Sequence, residues 1–209
     1  MHMATEYSTE EIKRKYNGFA SRYAGMERVQ EFLGMGRLRR RLLRRASGEV
    51  LEVACGTGAN FTHYSQECAV TAIDVSPGMM DVAERRAEEL GLDVEFRIMD
   101  AESLAFPGES FDTVASSLSL CTFPDPIVAL SEMKRVCRED GRILLLEHGR
   151  SNNRLVGRFQ DVREEAHAKQ LGCHWNREPL ELIEQAGLHP ITSKRTLLGV
   201  FHTIEAKVG

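Results

Sequence analysis

The stretch V-L-E-V-A-C-G-T-G-A-N-F, at residues 50–61, constrains the fold more than any other part of the chain. Its apolar, β-branched start, Val50 to Val53, is typical of a buried strand in a parallel sheet. Gly56 and Gly58 stand where such a strand turns into a helix. Glycine tolerates positive φ and has no side chain, so the backbone can approach a ligand closely. A bare G-x-G also occurs in ordinary turns, and the surrounding sequence decides between the two interpretations.

A second apolar run supports the ligand interpretation. Ala69 to Ile73 reads as another strand, and Asp74 follows it directly. In a doubly wound sheet the carboxyl ends of neighbouring strands lie side by side, and an acidic residue there accepts hydrogen bonds from ribose hydroxyls. The pattern therefore predicts a nucleoside site.

The loop differs from a dinucleotide fingerprint in two ways. Phe61 occupies the third glycine position of G-x-G-x-x-G, and Glu52 precedes the loop. A carboxylate at this place repels a pyrophosphate, whereas it suits a cationic ligand with an amino group and a sulfonium. These residues point to S-adenosylmethionine.

The motifs E-V-A-C-G-T-G and A-I-D resemble those of the class I methyltransferases that use S-adenosylmethionine, although that family usually has glycine where this chain has Ala54. Three further stretches carry the same resemblance: D-A-E-S-L-A-F-P at 100–107, S-F-D-T-V at 110–114 and E-M-K-R-V-C-R-E-D-G-R at 132–142. The resemblance implies S-adenosylmethionine as cofactor, S-adenosylhomocysteine as product and no metal. It also implies a Rossmann-like α/β fold: a doubly wound, seven-stranded, mostly parallel sheet with an antiparallel C-terminal hairpin and an N-terminal helical lid.

Length and composition favour one domain, because 209 residues can bury a single core and no linker-like segment divides them. We expect a lid at 4–46, a cofactor-binding core at 48–148, a substrate-side insertion at 149–178, and a C-terminal helix and hairpin at 179–209. The 31 acidic against 27 basic residues give no reason to expect nucleic acid.

The cysteine content and the hydropathy of the sequence indicate the cellular compartment in which we expect the protein. Five cysteines without a C-x-x-C pair argue against a disulfide framework and against a zinc site, and fit a reducing cytosol. No apolar run approaches the roughly 18 residues of a membrane span, and no signal-peptide pattern opens the chain. We expect a cytoplasmic protein, with peripheral contact at the membrane surface as an option.

Periodicity and turn residues predict the remaining elements. Helices are expected at 8–23, 27–45, 60–66, 126–137 and 179–186, and another helix follows a turn at Pro77-Gly78, runs through Ala83, Ala87 and Leu90, and stops at Gly91. Strands are expected at 50–53, 69–73, 94–99, 111–116 and 143–146, with a turn at Asp140-Gly141 before the last of these and a final hairpin of 191–197 and 200–208. Residues 149–169 show no firm periodicity.

The helix expected at 27–45 is basic and amphipathic. Val29, Phe32, Leu33, Leu38 and Leu42 fall on one face, and Arg37, Arg40, Arg41, Arg44 and Arg45 fall on the other. Such a helix can lie at an anionic membrane surface, with Arg37 to Arg45 meeting phosphates. Cations near a helix C-terminus also complement the helix dipole, so a solvated structural face explains the same pattern.

The resemblance also implies which residues meet the ligands. Cofactor contacts are expected at Glu52, Ala54, Gly56, Gly58, Asn60, Asp74, Val75, Met79, Asp100, Ala101, Glu102 and Ser116. Asp100 would accept a hydrogen bond from the exocyclic amine of adenine. Tyr16 and Tyr23 are lid candidates on the substrate side, with His174, and His148 is the candidate catalytic base; packing is the alternative explanation for each.

The acceptor is expected to be small and lipophilic. The motifs S-L-S-L-C-T-F-P-D-P, L-L-L-E-H-G-R-S and G-C-H-W-N-R-E resemble bacterial phosphatidylethanolamine N-methyltransferases and alkyl-thiol methyltransferases, within the quinone-biosynthetic branch. A phospholipid amine is the first expectation, and an alkyl thiol or a quinol the next. A nicotinamide-dependent oxidoreductase is disfavoured by Phe61 and Glu52, and a non-catalytic cofactor-binding protein or membrane adaptor remains an alternative.

Overall fold

The computed structural model describes residues 7–209, apart from the side chain of Ser21. The first residues of the predicted lid, 4–6, lie outside this range. The helices are α1 (Thr9–Gln30), α2 (Gly36–Leu43), α3 (Pro77–Leu90), α4 (Pro126–Val136), α5 (Arg154–Leu171) and α6 (Pro179–Gln185). The strands are β1 (Glu49–Val53), β2 (Ala69–Asp74), β3 (Val94–Ile98), β4 (Phe111–Ser117), β5 (Cys137–His148), β6 (His189–Thr196) and β7 (Phe201–Lys207).

The seven strands form one sheet in the order β3-β2-β1-β4-β5-β7-β6. The first five strands in this order are parallel, and β7 pairs antiparallel with both β5 and β6. The chain order reverses between β1 and β4, and in open α/β sheets ligands bind at the carboxyl ends of the strands beside such a reversal. The predicted fold class is confirmed.

The central strands are buried on both faces because helices cover the sheet on each side. One apolar cluster joins Leu51, Val114 and Leu145 to α4 and α6, and another joins Val50, Leu144 and Leu146 to α2. This burial explains the nearly continuous apolar runs in the sequence. It also makes the sheet a rigid base for the loops at its carboxyl edge.

The prediction of one helix over 27–45 is wrong. Helix α1 continues to Gln30, a π-helical turn spans Glu31–Met35, and α2 begins at Gly36 after Gly34 adopts φ 119°. The break divides the predicted apolar face. Leu42 packs in the core, whereas Phe32 and Leu33 are 91% and 74% exposed.

Two more local predictions are corrected. Residues 60–66 form only a 3-10 turn at Phe61–His63, because the Phe61 ring is drawn into a buried cluster and stacks edge-on against Phe96 at 5.8 Å. Asp140-Gly141 is no turn but part of β5, which starts at Cys137 and shifts register opposite β4. Gly141 suits such an irregularity because a Cβ there would lie 2.9 Å from the Asp112 carbonyl oxygen.

The segment left unassigned by sequence contains α5. Asn153 caps this helix by accepting hydrogen bonds from the amides of Leu155 and Val156, and Gly172 ends it in a left-handed conformation. Leu155 and Val162 are exposed, so the apolar residues of α5 do not mark a buried face. The lack of a clear stripe explains why periodicity did not reveal the helix.

Candidate functional site

A cavity lies at the carboxyl ends of β1, β2 and β4, and we call it the strand-end cavity. Its wall combines backbone from the glycine loop with carboxylates from the strand ends and aromatic side chains from α1. The lining includes Ile12, Tyr16, Tyr23, Glu27, Arg39, Glu52, Ala54, Gly56, Asn60, Asp74, Val75, Met79, Asp100, Ala101, Ser117 and Leu118. Carboxylates, small residues and an apolar strip are the features predicted for an adenosine-type ligand with a cationic end.

The loop after β1 is held open toward this cavity. Ala54 and Gly56 both adopt positive φ, 54° and 57°. A Cβ added to Gly56 would meet no atom within 4 Å, so this backbone faces free space. The φ of Ala54 gives a physical reason for the glycine usual in the family, because a left-handed residue with a Cβ is disfavoured by about 1–2 kcal/mol.

Asp74 fixes the shape of the loop. Its Oδ2 accepts a hydrogen bond from the Gly56 amide at 2.9 Å, and its Oδ1 accepts one from the Ser76 amide at 2.8 Å. Burial raises the pKa of Asp74, while these amide donors oppose the shift. A carboxylate has further lone pairs, so Asp74 can shape the loop and still accept from a ligand hydroxyl.

Replacing Asp74 with alanine is expected to weaken S-adenosylmethionine binding by about 1–3 kcal/mol, the scale of a lost hydrogen bond to a charged group. Calorimetric titration measures the change. Asp112→Ala is the matched control, because Asp112 also holds a backbone amide, that of Glu49, but does not line the strand-end cavity. If the two variants bind S-adenosylmethionine with equal affinity, Asp74 does not contact the ligand.

Glu52 is the most unusual group of the cavity wall. Its side chain is 1% exposed, and its Oε2 has no hydrogen-bond partner within the described part of the chain. Burial raises the pKa of Glu52 to about 7. An unpaired, buried carboxylate oxygen beside a cavity is costly unless a donor fills the site, and a ligand ammonium is such a donor.

The raised pKa of Glu52 makes stability depend on pH. The folded pKa of about 7 exceeds the unfolded value of 4.5, so the ligand-free protein gains stability from this group below pH 4.5 and loses it as pH rises through 7. The loss amounts to about 3 kcal/mol. Denaturant unfolding at a series of pH values, in wild type and Glu52→Gln, measures the difference. Parallel curves for the two proteins would contradict this assignment.

Most of the predicted cofactor residues line the strand-end cavity. They are Glu52, Ala54, Gly56, Asn60, Asp74, Val75, Met79, Asp100 and Ala101. Their contact with a cofactor stays a prediction, but the structure brings them together around one space.

Three predicted cofactor residues do not line the cavity. Gly58 leaves room for the Phe61 ring, since a Cβ there would lie 2.4 Å from it. Glu102 accepts a hydrogen bond from the Asp125 amide at 2.6 Å, and Ser116 donates one to the Val53 carbonyl at 2.8 Å. The structure thus gives all three a supporting position behind the wall, and β4 ends one residue later than predicted.

A second, larger cavity adjoins the first, and we call it the outer cavity. The two share Tyr16, Tyr23 and Leu118. Its other lining residues are mainly apolar or aromatic and include Phe19, Met26, Cys121, His148, His167, Leu171, Cys173 and Phe201. Burial raises the pKa of both tyrosines above 10, so their phenols stay protonated at neutral pH and can donate hydrogen bonds.

The two predicted histidines occupy different positions. His148, at the end of β5, lines the outer cavity, and its Nε2 lies 3.4 Å from Cys173 Sγ. His174 lines neither cavity, and its Nδ1 lies 2.7 Å from Glu164 Oε1. This geometry places His148 in the wall of the outer cavity and gives His174 a hydrogen-bonded structural position.

Sequence reasoning missed a charged cluster in the wall of the strand-end cavity. Arg39 is 3% exposed and donates to Glu31 Oε1 at 2.7 Å and to Asn60 Oδ1 at 2.6 Å. Glu27 lies 4.0 Å from Arg39 and accepts hydrogen bonds from Thr57 and Arg86. The signal was present in the sequence, because Arg39 falls on the apolar side of its helix, and a charge at such a position is informative.

Comparison with known proteins agrees with the geometry of the strand-end cavity. The methyltransferase domain family matches residues 51–145, which contain the strand-end loops. A demethylmenaquinone methyltransferase from Renibacterium salmoninarum is 32% identical over 176 residues, covering 80% of this chain and 70% of its own length. The chain belongs to the S-adenosylmethionine-dependent methyltransferases.

Other relatives differ in length and in their named acceptors. A phosphatidylethanolamine N-methyltransferase from Cereibacter sphaeroides is 45% identical over 103 residues, 48% of this chain and 51% of the relative. The mitochondrial methyltransferase OMS1 of Saccharomyces cerevisiae is 32% identical over 83% of this chain and 41% of its own length. The chain therefore spans about half the length of these two relatives.

A solved structure supports the fold assignment. The YcgJ protein from Bacillus subtilis superposes with a TM-score of 0.64 at 25% identity, covering 79% of this chain and 73% of that one.

The residues of the strand-end cavity fit S-adenosylmethionine. The unpaired Glu52 Oε2 can receive the ammonium, the space before Gly56 can receive the amino-acid portion, and Asp74 and Asp100 can receive the ribose and the adenine amine. When bound, the cofactor supplies a methyl group already activated on its sulfonium.

Proposed function

We propose that this protein transfers the methyl group of S-adenosylmethionine to a lipophilic, membrane-borne acceptor, with a phospholipid amine as the first candidate. The observation that carries the proposal is the junction of the two cavities. Tyr16, Tyr23 and Leu118 line both, so the two cavities meet at these three side chains. The apolar lining of the outer cavity suits an acyl chain.

The protein's contribution to such a reaction is alignment and exclusion of water. Methyl transfer is an in-line displacement, and the nucleophile must approach along the axis of the breaking carbon–sulfur bond. The aromatic side chains of α1, Tyr16, Phe19 and Tyr23, pack edge-to-face with centroids 6.1 Å apart and close this space from one side. A hydroxyl acceptor would need a base, and His148 is the candidate, although His167 also lines the outer cavity.

The likeness to relatives with named acceptors supports the choice of class. One is named for phosphatidylethanolamine and another for demethylmenaquinone, and both acceptors are lipids. A quinol therefore follows the phospholipid amine as a candidate, and an alkyl thiol stays a candidate through the resemblance of the sequence motifs alone.

Contact with an anionic membrane belongs to the same proposal. None of the helices within 7–209 has the length and apolarity of a membrane span. The end of α1 and the π-helical turn after it nevertheless expose Val29, Phe32 and Leu33, close in sequence to Met26 and Gln30, which line the outer cavity. Arg37, Arg40, Arg41 and Arg44 are exposed directly after it. Apolar side chains inserted among headgroups, with arginines meeting phosphates, would set the cavity mouth at the lipid surface.

Membrane contact predicts two sensitivities. Binding to anionic vesicles should fall when Phe32 and Leu33 are changed to serine, and it should fall with added salt or with Arg40/Arg41/Arg44→Glu. Co-sedimentation with vesicles measures both. Val128→Ser, which alters an exposed apolar residue on α4, is the control and should bind as wild type. If the amount of protein that sediments with the vesicles is the same under all of these changes, the arginines form a solvated structural face and do not bind the membrane.

Methyl transfer itself is tested with labelled S-adenosylmethionine and three acceptors: phosphatidylethanolamine in vesicles, an alkyl thiol and a demethylated quinol. S-adenosylhomocysteine is counted in parallel. Label in the lipid amine is the expected result, and label confined to another acceptor would replace it. Cofactor binding without label in any acceptor would favour the alternative, a non-catalytic cofactor-binding protein or membrane adaptor.

A further inference from the structure

Two cysteines and a histidine converge on the inner wall of the outer cavity. Cys121 follows β4, His148 ends β5, and Cys173 follows α5. Their ligand atoms all lie within 4.8 Å of one another, and no other group of three such residues meets this criterion within the described part of the chain. Sequence spacing gave no hint of this cluster, because the three residues are brought together only by the strand ends and the loops above them.

We propose that Cys121, His148 and Cys173 form a binding site for Zn²⁺ with one open position toward the outer cavity. Three protein ligands of the Cys₂His type with an exchangeable fourth position are typical of catalytic zinc, whereas structural zinc has four protein ligands. Two thiolates would balance the charge of the ion.

The distances fit this geometry. With zinc–sulfur bonds of about 2.3 Å and zinc–nitrogen bonds of about 2.0 Å, tetrahedral ligand atoms lie roughly 3.5–3.8 Å apart. Cys173 Sγ and His148 Nε2 are already 3.4 Å apart, and the remaining separations are below 4.8 Å. Small side-chain rotations therefore complete the site.

The ligands are held by anchors that would persist without metal. The His174 amide donates to the Cys121 carbonyl at 2.8 Å, which ties the loop of Cys173 to that of Cys121. Arg177 donates to the carbonyls of Leu120 and Phe123 and fixes the same turn. His148 is paired with Phe201 within the sheet, which fixes its backbone.

The open position selects a ligand class. Cys121, His148 and Cys173 line the outer cavity, which shares Leu118 with the strand-end cavity. A thiol that coordinates there loses its proton to solvent and stays nucleophilic as the metal-bound thiolate, whereas a coordinated amine has committed its lone pair. In methyl transfer the thiolate sulfur bonds the methyl carbon as the carbon–sulfonium bond breaks, and a neutral thioether leaves. This acceptor role keeps the proposed methyl transfer but takes the alkyl thiol in place of the phospholipid amine, and it makes His148 a ligand rather than a base. The metal site itself rests on neither acceptor.

The site is tested on the full chain by two measurements. Metal analysis after treatment with Zn²⁺ and desalting should give about one zinc per chain, and replacing Zn²⁺ by Co²⁺ should give the visible and charge-transfer bands of a tetrahedral thiolate site. Cys121→Ser, Cys173→Ser and His148→Gln should each lower zinc affinity by more than about 100-fold, since losing even a supporting partner costs 10–100-fold. Cys68→Ser is the control, because Cys68 lies outside the cluster and should leave zinc affinity unchanged.

Calorimetry with S-adenosylmethionine on the same samples separates the two proposals. The variants should bind the cofactor as wild type does, which shows that they are folded. Wild type without zinc, or variants that keep it, would overturn the metal site whatever the methyl-transfer result. An alkane thiol should change the absorption spectrum of the cobalt-substituted protein, and an alkyl amine should not. If the thiol leaves this spectrum unchanged, the metal has no open position.

Discussion

Replacing Gly56 with valine is expected to abolish S-adenosylmethionine binding while the protein stays folded. The Gly56 backbone faces the open strand-end cavity, and a side chain there would occupy the space of the ligand. The residue also has φ 57°, which a β-branched residue adopts only with strain of about 1–2 kcal/mol. Calorimetry should show at least about a 100-fold loss of affinity, equivalent to roughly 2.7 kcal/mol.

The control for Gly56→Val separates lost space from backbone strain. Gly91 ends α3 with φ 64°, and a Cβ there also meets nothing within 4 Å, but it does not line the strand-end cavity. Gly91→Val should therefore lower the thermal midpoint by a similar amount and bind the cofactor as wild type does. Wild-type affinity in Gly56→Val would show that the ligand does not approach this loop.

Replacing Arg39 with methionine is expected to destabilise the protein by about 3–5 kcal/mol, because it leaves carboxylates without their buried partner. Arg39 is 3% exposed, and Glu27, which it faces, is 5% exposed. The same change removes the hydrogen bond to Asn60 and the charge facing Glu27, both in the wall of the strand-end cavity, so cofactor affinity should fall as well. Denaturant unfolding and calorimetry measure the two effects.

A surface pair supplies the comparison for Arg39. Arg97 contacts Glu95 at 2.6 Å, but both side chains are about half exposed, so Arg97→Met should cost no more than about 1 kcal/mol. If Arg39→Met costs as little as Arg97→Met, the buried cluster does not hold α2 against the cofactor loop.

The sheet and its glycine loop could be predicted because local and tertiary requirements coincide there. Val50 to Val53 must be buried in any parallel sheet, and Gly56 and Asp74 must stand at strand ends whatever the ligand. The same argument predicted that Asp100 follows β3 at the ligand edge of the sheet, where it lines the strand-end cavity, because the carboxyl ends of the parallel strands all meet at that edge.

Features that depend on distant contacts could not be predicted. The break at Gly34 separates Phe32, which is exposed, from Leu42, which is buried, although the two share one face on an unbroken helix. Phe61 leaves the predicted helix because a tertiary cluster takes its ring. The convergence of Cys121, His148 and Cys173 depends on the strand order and on α5, which the sequence did not reveal.

The most direct test of this account is a crystal structure of the protein with S-adenosylhomocysteine. We expect the ribose at Asp74, the adenine amine at Asp100, the ammonium at Glu52 Oε2, and the sulfur directed toward Tyr16 and Leu118, where the two cavities join. A product bound elsewhere, or a sulfur directed away from the outer cavity, would contradict both the site and the path of the methyl group.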